Sequence, residues 1–242
     1  MDQITRMHLN IEAESVNGAY LKLLDEFSLG DDKYESKAAI ISIKNIYNSE
    51  LPRLVIEPYN KYYQVFIQND LLEQKWNLLD EEWYLSYSRR IMTKRNGIDI
   101  WKRAKMELLR NENSRRSIIL TYRDEDDLLG YLPSLLSIQF TIENNMLNML
   151  TMWRSKELYI AFPINILSMH SLMRIMYNEI RKQCYTLKMG IYTEFVGSLH
   201  KLPENKKPKE FGDSLINMNL EKVKFYWSVL ENGKEKEYDE NY

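Results

Sequence analysis

Residues 133–165 read PSLLSIQFTIENNMLNMLTMWRSKELYIAFPIN, and this stretch decides what kind of sheet the chain can build. Leu135 to Ile142 and Met146 to Trp153 are two apolar runs of strand length. Asn144-Asn145 stands between them, and asparagine accepts positive φ more readily than most side chains, so the pair predicts a tight hairpin. Strands joined in this way are antiparallel neighbours, which fits a doubly wound parallel sheet poorly. After a polar turn, Pro163 to Gln183 predicts a long helix with proline at its start. Leu167, Leu172, Ile175, Met176 and Ile180 would form its inner face.

Working outward, Arg116 to Tyr122 (RSIILTY) predicts a strand followed by an acidic loop, Asp124 to Asp127. Lys188 to Leu199 predicts a strand that delivers His200, and Lys37 to Ile46 (KAAIISIKNI) another near the start. From Ile11 to Leu29 the residues Ala19, Leu21, Leu23, Leu24 and Phe27 recur at helical spacing, with Gly30 as terminator. Aromatic-rich Lys61 to Leu85 and amphipathic Asp99 to Leu109 predict two further helices, the second stopped by the polar run Arg110 to Asn113. Leu220 to Val229 predicts a last strand or helix, beyond a solvated loop containing KKPKE. The expected class is α/β of the α+β kind, a mixed sheet with hairpin-linked strands packed against helices. With no repeat and no linker, residues 1–232 are expected to form one domain, and residues 233–242 a charged, disordered tail.

The 242 residues suffice for a sizeable core, and 33 Lys+Arg against 35 Asp+Glu give no basic surplus for nucleic acid or acidic lipid. No apolar h-region opens the chain and no stretch is apolar for long enough to span a bilayer, so a cytoplasmic, soluble protein is expected. One cysteine, Cys184, excludes an internal disulfide and a Cys-rich zinc site. His8, His170 and His200 fall in no metal-ligand spacing. Met146, Met149 and Met152 are expected as adaptable core packing. Trp76, Trp83, Tyr84 and Tyr87, followed by Arg89-Arg90, could stack bases but fit an amphipathic helix face or subunit contact better.

The residues able to carry chemistry cluster late. Arg154-Ser155 joins a permanently charged guanidinium fork to a hydroxyl, a good phosphate grip. Arg115-Arg116 is a second cationic pair, although neighbours on a strand face opposite ways and the plain reading is a solvated strand start. Asn165 carries an amide that both donates and accepts.

In order and spacing, Asn113-Ser114-Arg115-Arg116, Pro133-Ser134, Gln139-Phe140, Arg154-Ser155-Lys156-Glu157, Pro163-Ile164-Asn165 and Gly197-Ser198-Leu199-His200 resemble the thymidylate synthase and pyrimidine hydroxymethylase family. The resemblance is clear from Asn113 to His200 and faint from Ile11 to Arg53. It implies that Arg154 and Ser155 grip a nucleotide phosphate while Arg115 and Arg116 reach the phosphate bound in a partner, making the protein a homodimer through its sheet. It further implies that Asn165 reads the pyrimidine edge, that Glu157 lies near base and folate, and that His200 holds ordered water around the base.

Serine at 134 stands where that family places its nucleophilic cysteine. A thiol ionises near pH ~8.5, whereas a serine hydroxyl needs an adjacent base. Ser36-Lys37 replaces the hydroxymethylase branch's Ser-Arg-Gly, Leu202 stands in place of a sugar-binding tyrosine, and neither a glutamate before a tryptophan nor the folate-closing C-terminus is recognisable. The expectation is a pyrimidine nucleoside monophosphate binder with folate-dependent methyl transfer lost. Two alternatives stay open: a C5 one-carbon transferase or hydroxymethylase working through Ser134 and His200, or a non-catalytic scaffold for a protein partner. Methylene-tetrahydrofolate is the cofactor the resemblance brings; no metal, membrane or nucleic acid is expected.

Overall fold

A computed structural model describes residues 8–27, 35–46, 87–92, 94–124, 126–127, 132–158 and 161–201. The elements are β1 (His8–Ser15), α1 (Val16–Asp25), β2 (Glu35–Asn45), α2 (Tyr87–Met92), β3 (Lys94–Arg95), β4 (Ile98–Asp99), α3 (Ile100–Arg110), β5 (Ile118–Leu120), β6 (Leu135–Glu143), β7 (Met146–Trp153), β8 (Lys156–Glu157), α4 (Ala161–Arg181) and β9 (Lys188–Lys201). One mixed sheet runs β1-β2-β9-β7-β6-β5, with β8 also on β9, and β3-β4 forms a separate small hairpin. β1 lies parallel to β2 and β7 parallel to β9, while β2–β9, β6–β7 and β5–β6 are antiparallel.

The decisive hairpin forms as expected. Asn144 and Asn145 take φ of 52° and 60°, the left-handed pair that lets two residues reverse a twisted ribbon. Lys188 donates its backbone N–H to Asn145 O at 2.8 Å, tying the turn to the start of β9.

The expectation over Ile11 to Leu29 needs correction. His8 to Ser15 is a strand with alternating exposed and buried residues, and the helix starts only at Val16. LNIEAES alternates at period two, and the Ser15 hydroxyl caps the helix by accepting from Gly18 N–H at 3.1 Å. Gly30 lies outside the described residues, as do Lys61 to Leu85, the aromatic cluster before Tyr87 and everything from Leu202 onward.

The α3 helix follows its sequence pattern, with Asp99 accepting from Lys102 N–H at 2.8 Å as N-cap and Ile100, Trp101, Ala104 and Leu108 buried. In α4, Pro163 is the third residue, where its missing N–H costs no helical bond. Phe162, Met169, Leu172, Met173, Met176 and Ile180 are buried along it.

Helices and strand side chains enclose one face of the sheet, where Ile41, Ile138, Phe140, Leu147, Met149 and Tyr192 lie wholly or almost wholly buried. The opposite face carries Leu120, Met152, Ile191 and Phe195, all exposed. Core packing therefore holds for Met149 but not for Met152, which is 49% exposed because it points to the open face. No helix among the described residues is long and apolar enough to cross a membrane.

Candidate functional site

The candidate site sits where two neighbouring strands break step together. Trp153 pairs with Val196 and Lys156 with Leu199, and all four side chains are buried. An odd interval between two inward residues cannot be regular strand, since side chains alternate. Arg154-Ser155 and Gly197-Ser198 therefore form facing irregularities. Gly197 permits their closeness, because a Cβ there would lie 2.9 Å from the Arg154 carbonyl oxygen.

Beside this step runs the Pro133-Ser134 loop that leads into β6. Arg154 donates its backbone N–H to Ser134 O at 2.8 Å. Its side chain clamps the same loop: Nε donates to Leu132 O and Pro133 O at 3.1 and 3.2 Å, and Nη2 to Leu132 O at 2.7 Å. Nη1 donates to Ser155 Oγ at 3.1 Å. A guanidinium has five N–H groups, so one on each terminal nitrogen is left for a ligand. Ser155 uses its oxygen as acceptor here, leaving its O–H to donate.

From the other side, the Tyr87 hydroxyl accepts the backbone N–H groups of Ser134 and Leu135 at 2.9 and 3.1 Å. Its ring stands edge-on to Trp153, with centroids 5.9 Å apart. The α2 helix that carries Tyr87 is anchored by Arg90, whose fork meets both Asp126 oxygens at 2.7 Å while Nη1 also reaches Thr121 O at 3.0 Å. Burial alone would raise the Asp126 carboxyl; Arg90 and the Arg123 backbone N–H outweigh it and hold it below its ordinary value. Arg90 is thus a core residue and unavailable to stack bases.

Glu157 and His200 are register partners of β8 and β9, and Ser36 of β2 faces His200 from the other side. Glu157 Oε2 accepts the Ala161 N–H at 3.1 Å, placing a carboxylate at the N-terminus of α4, where the helix dipole favours it. His200 Nδ1 lies 3.1 Å from Ser198 O, and Ser198 and Ser36 hydroxyls meet at 2.7 Å. Asn165 is half-buried in the second turn of α4, just beyond Glu157.

The structure thus gathers Ser134, Arg154 and Ser155, with Glu157 and His200 further along the same ladder. From the register, Ser134 and His200 backbones are roughly 14 Å apart, two strand spacings across and three residues along. The Ser134 hydroxyl has no hydrogen-bond partner among the described residues.

Arg115 and Arg116 are elsewhere. Gln139 Nε2 donates to Arg115 O at 3.3 Å and Phe140 N–H to Ser117 O at 2.9 Å, so this pair lies near the middle and far end of β6. The distance to Ser134 along that strand is roughly 20 Å. Both arginines are exposed, and they cannot meet Arg154 of their own chain over one small ligand.

Beneath the Arg154-Ser155 turn lies a polar network that sequence reading did not pick out. Lys156 Nζ is 2.6 Å from Glu194 Oε2, with both side chains fully buried. Tyr192 donates to the same oxygen at 2.7 Å, the Thr151 and Tyr192 hydroxyls are 2.9 Å apart, and Trp153 Nε1 donates to Thr151 Oγ1 at 3.0 Å. Lys156 also lies over the Trp153 ring, 3.8 Å from its centroid. Burial pulls the Lys156 ammonium below its ordinary value, against the pull of Glu194. Burial pushes Tyr192 well above its own, and Glu194 adds to this. Glu194 Oε1 is buried without a hydrogen-bond partner among the described residues.

Two signals could have found this network: Glu194 shares the inward parity of Tyr192 and Val196, and Lys156 follows directly on the Arg154-Ser155 pair. Nothing comparable marks Tyr87. Among the described residues no three His, Cys, Asp or Glu side chains assemble as a metal site.

Comparison with known proteins bears on the whole arrangement. A curated thymidylate synthase of Mycoplasma genitalium is 27% identical over 106 residues, 43% of this chain and only 35% of the relative's length. The solved structure of thermostable thymidylate synthase A from Bacillus subtilis matches 88% of this chain and 84% of its own, with a TM-score of 0.54 at 16% identity, a likeness of fold. The family model described as thymidylate synthase matches residues 42–226, which include the Ser134 loop, the Arg154 step and the β9 ladder. With most of its length inside that match and its mixed sheet superimposing on a family structure, this chain belongs to the thymidylate synthase family.

Proposed function

We propose that this protein binds a pyrimidine nucleoside monophosphate, holding its phosphate with Arg154 and Ser155 and with Arg115 and Arg116 of a second copy, and has lost thiolate-initiated methyl transfer. The observation that carries this reading is the state of Arg154. Three of its N–H groups fix the loop and Ser155, so the fork is already oriented, and two N–H groups plus the Ser155 O–H remain to meet phosphate oxygens. Asn165 is the proposed base reader, and His200 the proposed holder of water at the base.

The dimer has two supports. Arg115 and Arg116 lie too far from Arg154 within one chain, which suits a role in trans. The open sheet face presents apolar Met152, Phe195, Leu136 and Ile40 around a cavity of about 420 Å³, a surface suited to a second copy of the same sheet.

Loss of the usual chemistry rests on Ser134. A hydroxyl must surrender its proton to a base in contact, and the Ser134 Oγ has none among the described residues. Glu157, the residue the resemblance sets near a folate, gives one carboxylate oxygen to the N-terminus of α4, and the proposed function uses no folate. The enzymatic alternative draws on His200 and Glu157 being ladder partners, but the Ser134 and His200 backbones stand roughly 14 Å apart, which counts against a Ser134–His200 pair. Release of the C5 proton from a bound nucleotide, abolished in Ser134→Ala, would establish that alternative.

Calorimetric titration with dUMP, dCMP, UMP and CMP tests the main reading. One of the four should bind, and Arg154→Ala should weaken it by at least about ten-fold. Arg115→Ala/Arg116→Ala should also fail alone, yet mixed dimers of the two variants should regain one intact site. Unchanged affinity in Arg154→Ala would sink the proposal.

A further inference from the structure

Arg115 and Arg116 stand on a segment that is neither helix nor strand, yet its backbone is tied almost residue by residue. Asn111 O accepts the Ser114 N–H at 2.9 Å, and Asn111 Oδ1 accepts the Asn113 N–H at 3.0 Å. Ser114 Oγ accepts the Arg116 N–H at 3.2 Å, Arg115 O accepts from Gln139 Nε2 at 3.3 Å, and Ser117 donates its hydroxyl to Ala104 O at 2.9 Å. Ser114 and Ser117 are buried, whereas both arginine side chains are exposed. The mount is fixed and the cations it carries face solvent.

Glu107 is the odd member of this mount. It lies in the last turn of α3, where the unpaired carbonyls of a helix end disfavour a carboxylate. It is half-buried, and its Oε2 accepts the Ser114 hydroxyl at 3.2 Å. A serine hydroxyl has one proton. With that proton given to Glu107, the lone pairs of Ser114 are turned toward the Arg116 N–H. Glu107 shares a cavity of about 400 Å³ with Arg110, Arg115 and Arg116, but among the described residues it forms no ion pair with any of them. Its carboxylate therefore holds the backbone under the arginines and leaves their guanidinium groups unclaimed.

We infer that Glu107 is a positioning residue of the nucleotide site in the partner subunit: through Ser114 it aims the Arg115-Arg116 pair that its own chain donates. The inference rests on the nucleotide reading above and names the device that orients its arginines in trans. Two effects of opposite sign meet at this carboxylate. As a charge it opposes an incoming phosphate, so its removal would tighten binding. As the acceptor for Ser114 it keeps the two cations pre-ordered, so its removal would weaken binding. The arginines are exposed, and solvent and salt screen the charge effect there. Ordering two long side chains on a loosened loop is not screened, and the positioning effect wins.

The test titrates full-length protein calorimetrically with whichever of dUMP, dCMP, UMP and CMP binds wild type. Glu107→Ala and Ser114→Ala should each weaken that nucleotide by about five-fold, the scale of one lost hydrogen bond to a charged group. Glu107→Gln, whose amide oxygen still accepts from Ser114, should restore the affinity. Ser114→Ala leaves α3 unaltered and carries the test if Glu107→Ala does not fold. Mixed dimers supply a readout that general destabilisation would not move. Glu107→Ala subunits paired with Arg154→Ala subunits should regain one site of wild-type affinity, because Arg154 of the first then meets well-aimed arginines of the second. Paired with Arg115→Ala/Arg116→Ala subunits they should regain none. Wild-type or tighter affinity in both alanine variants, or the reverse pattern in the mixed dimers, overturns the inference and leaves the nucleotide reading standing. A wild-type protein that binds none of the four nucleotides overturns both.

Discussion

Replacing Lys156 by methionine removes the cation from a fully buried ion pair while keeping most of the side-chain volume. Glu194 would then sit in the core with the Tyr192 hydroxyl as its remaining donor and one oxygen already unpartnered among the described residues. Breaking one partner of a buried pair costs about 3–5 kcal/mol, because the surviving charge is neither solvated nor neutralised. Loss of the ammonium from the Trp153 face, 3.8 Å away, adds up to about 2 kcal/mol where the contact is desolvated. For a domain stable by about 5–15 kcal/mol the total is a large share. The double variant Lys156→Met/Glu194→Gln removes both charges at once and should recover at least about 2 kcal/mol of that loss. Urea unfolding followed by tryptophan fluorescence reads the free energies directly, since Trp153 belongs to the network. Single variants that each cost less than about 1 kcal/mol and add without coupling in the double would refute the reasoning, because a pair that water can reach behaves in that way.

Other predictions concern the frame of the site. Gly197→Ala places a Cβ 2.9 Å from the Arg154 carbonyl oxygen and should cost about 1–3 kcal/mol and lower nucleotide affinity, checked by melting and titration together. Tyr87→Phe strips the acceptor from the Ser134 and Leu135 N–H groups and should destabilise by about 1–3 kcal/mol in the same unfolding assay. The His170 imidazole is lowered from 6.5 to about 4 by burial and then by the Arg174 charge. The folded state therefore disfavours its protonation, so stability present above pH 6.5 is lost as pH falls toward 4; proton NMR of the imidazole should follow the titration. Asp126, also lowered, acts in the same direction at more acidic pH, and Asp126→Asn should flatten that part of the stability curve.

The hairpin, the strands β2, β6, β7 and β9, and the helices α3 and α4 were legible because each shows a clean period or a turn residue with a specific backbone demand. His8 to Ser15 was not, because a single alternating segment ran straight into a helix with no glycine or proline at the border. The motif residues were legible in kind: Ser134, Arg154 and Ser155 do meet. Their geometry was not, since the paired irregularities at Arg154-Ser155 and Gly197-Ser198 arise between strands distant in sequence. The buried Lys156–Glu194 pair escaped for the same reason, because lysine and glutamate each read as surface until their strands are laid side by side. Tyr87 escaped because only tertiary packing brings its hydroxyl to Ser134.

The placement of β9 has a consequence for how the chain is made. It is the strand on which β2, β7 and β8 all depend, and the Ser36–Ser198 contact joins residues 162 positions apart. Loops of that length close slowly, and folding rates fall as contacts become less local. During synthesis, β2 with its KAAIISI core emerges long before its antiparallel partner. Until β9 arrives it presents an apolar, β-branched edge open to pairing with the wrong chain. The nascent protein should therefore call on a chaperone that shields strands, and a chain truncated before Lys188 should aggregate instead of accumulating as a partly folded monomer.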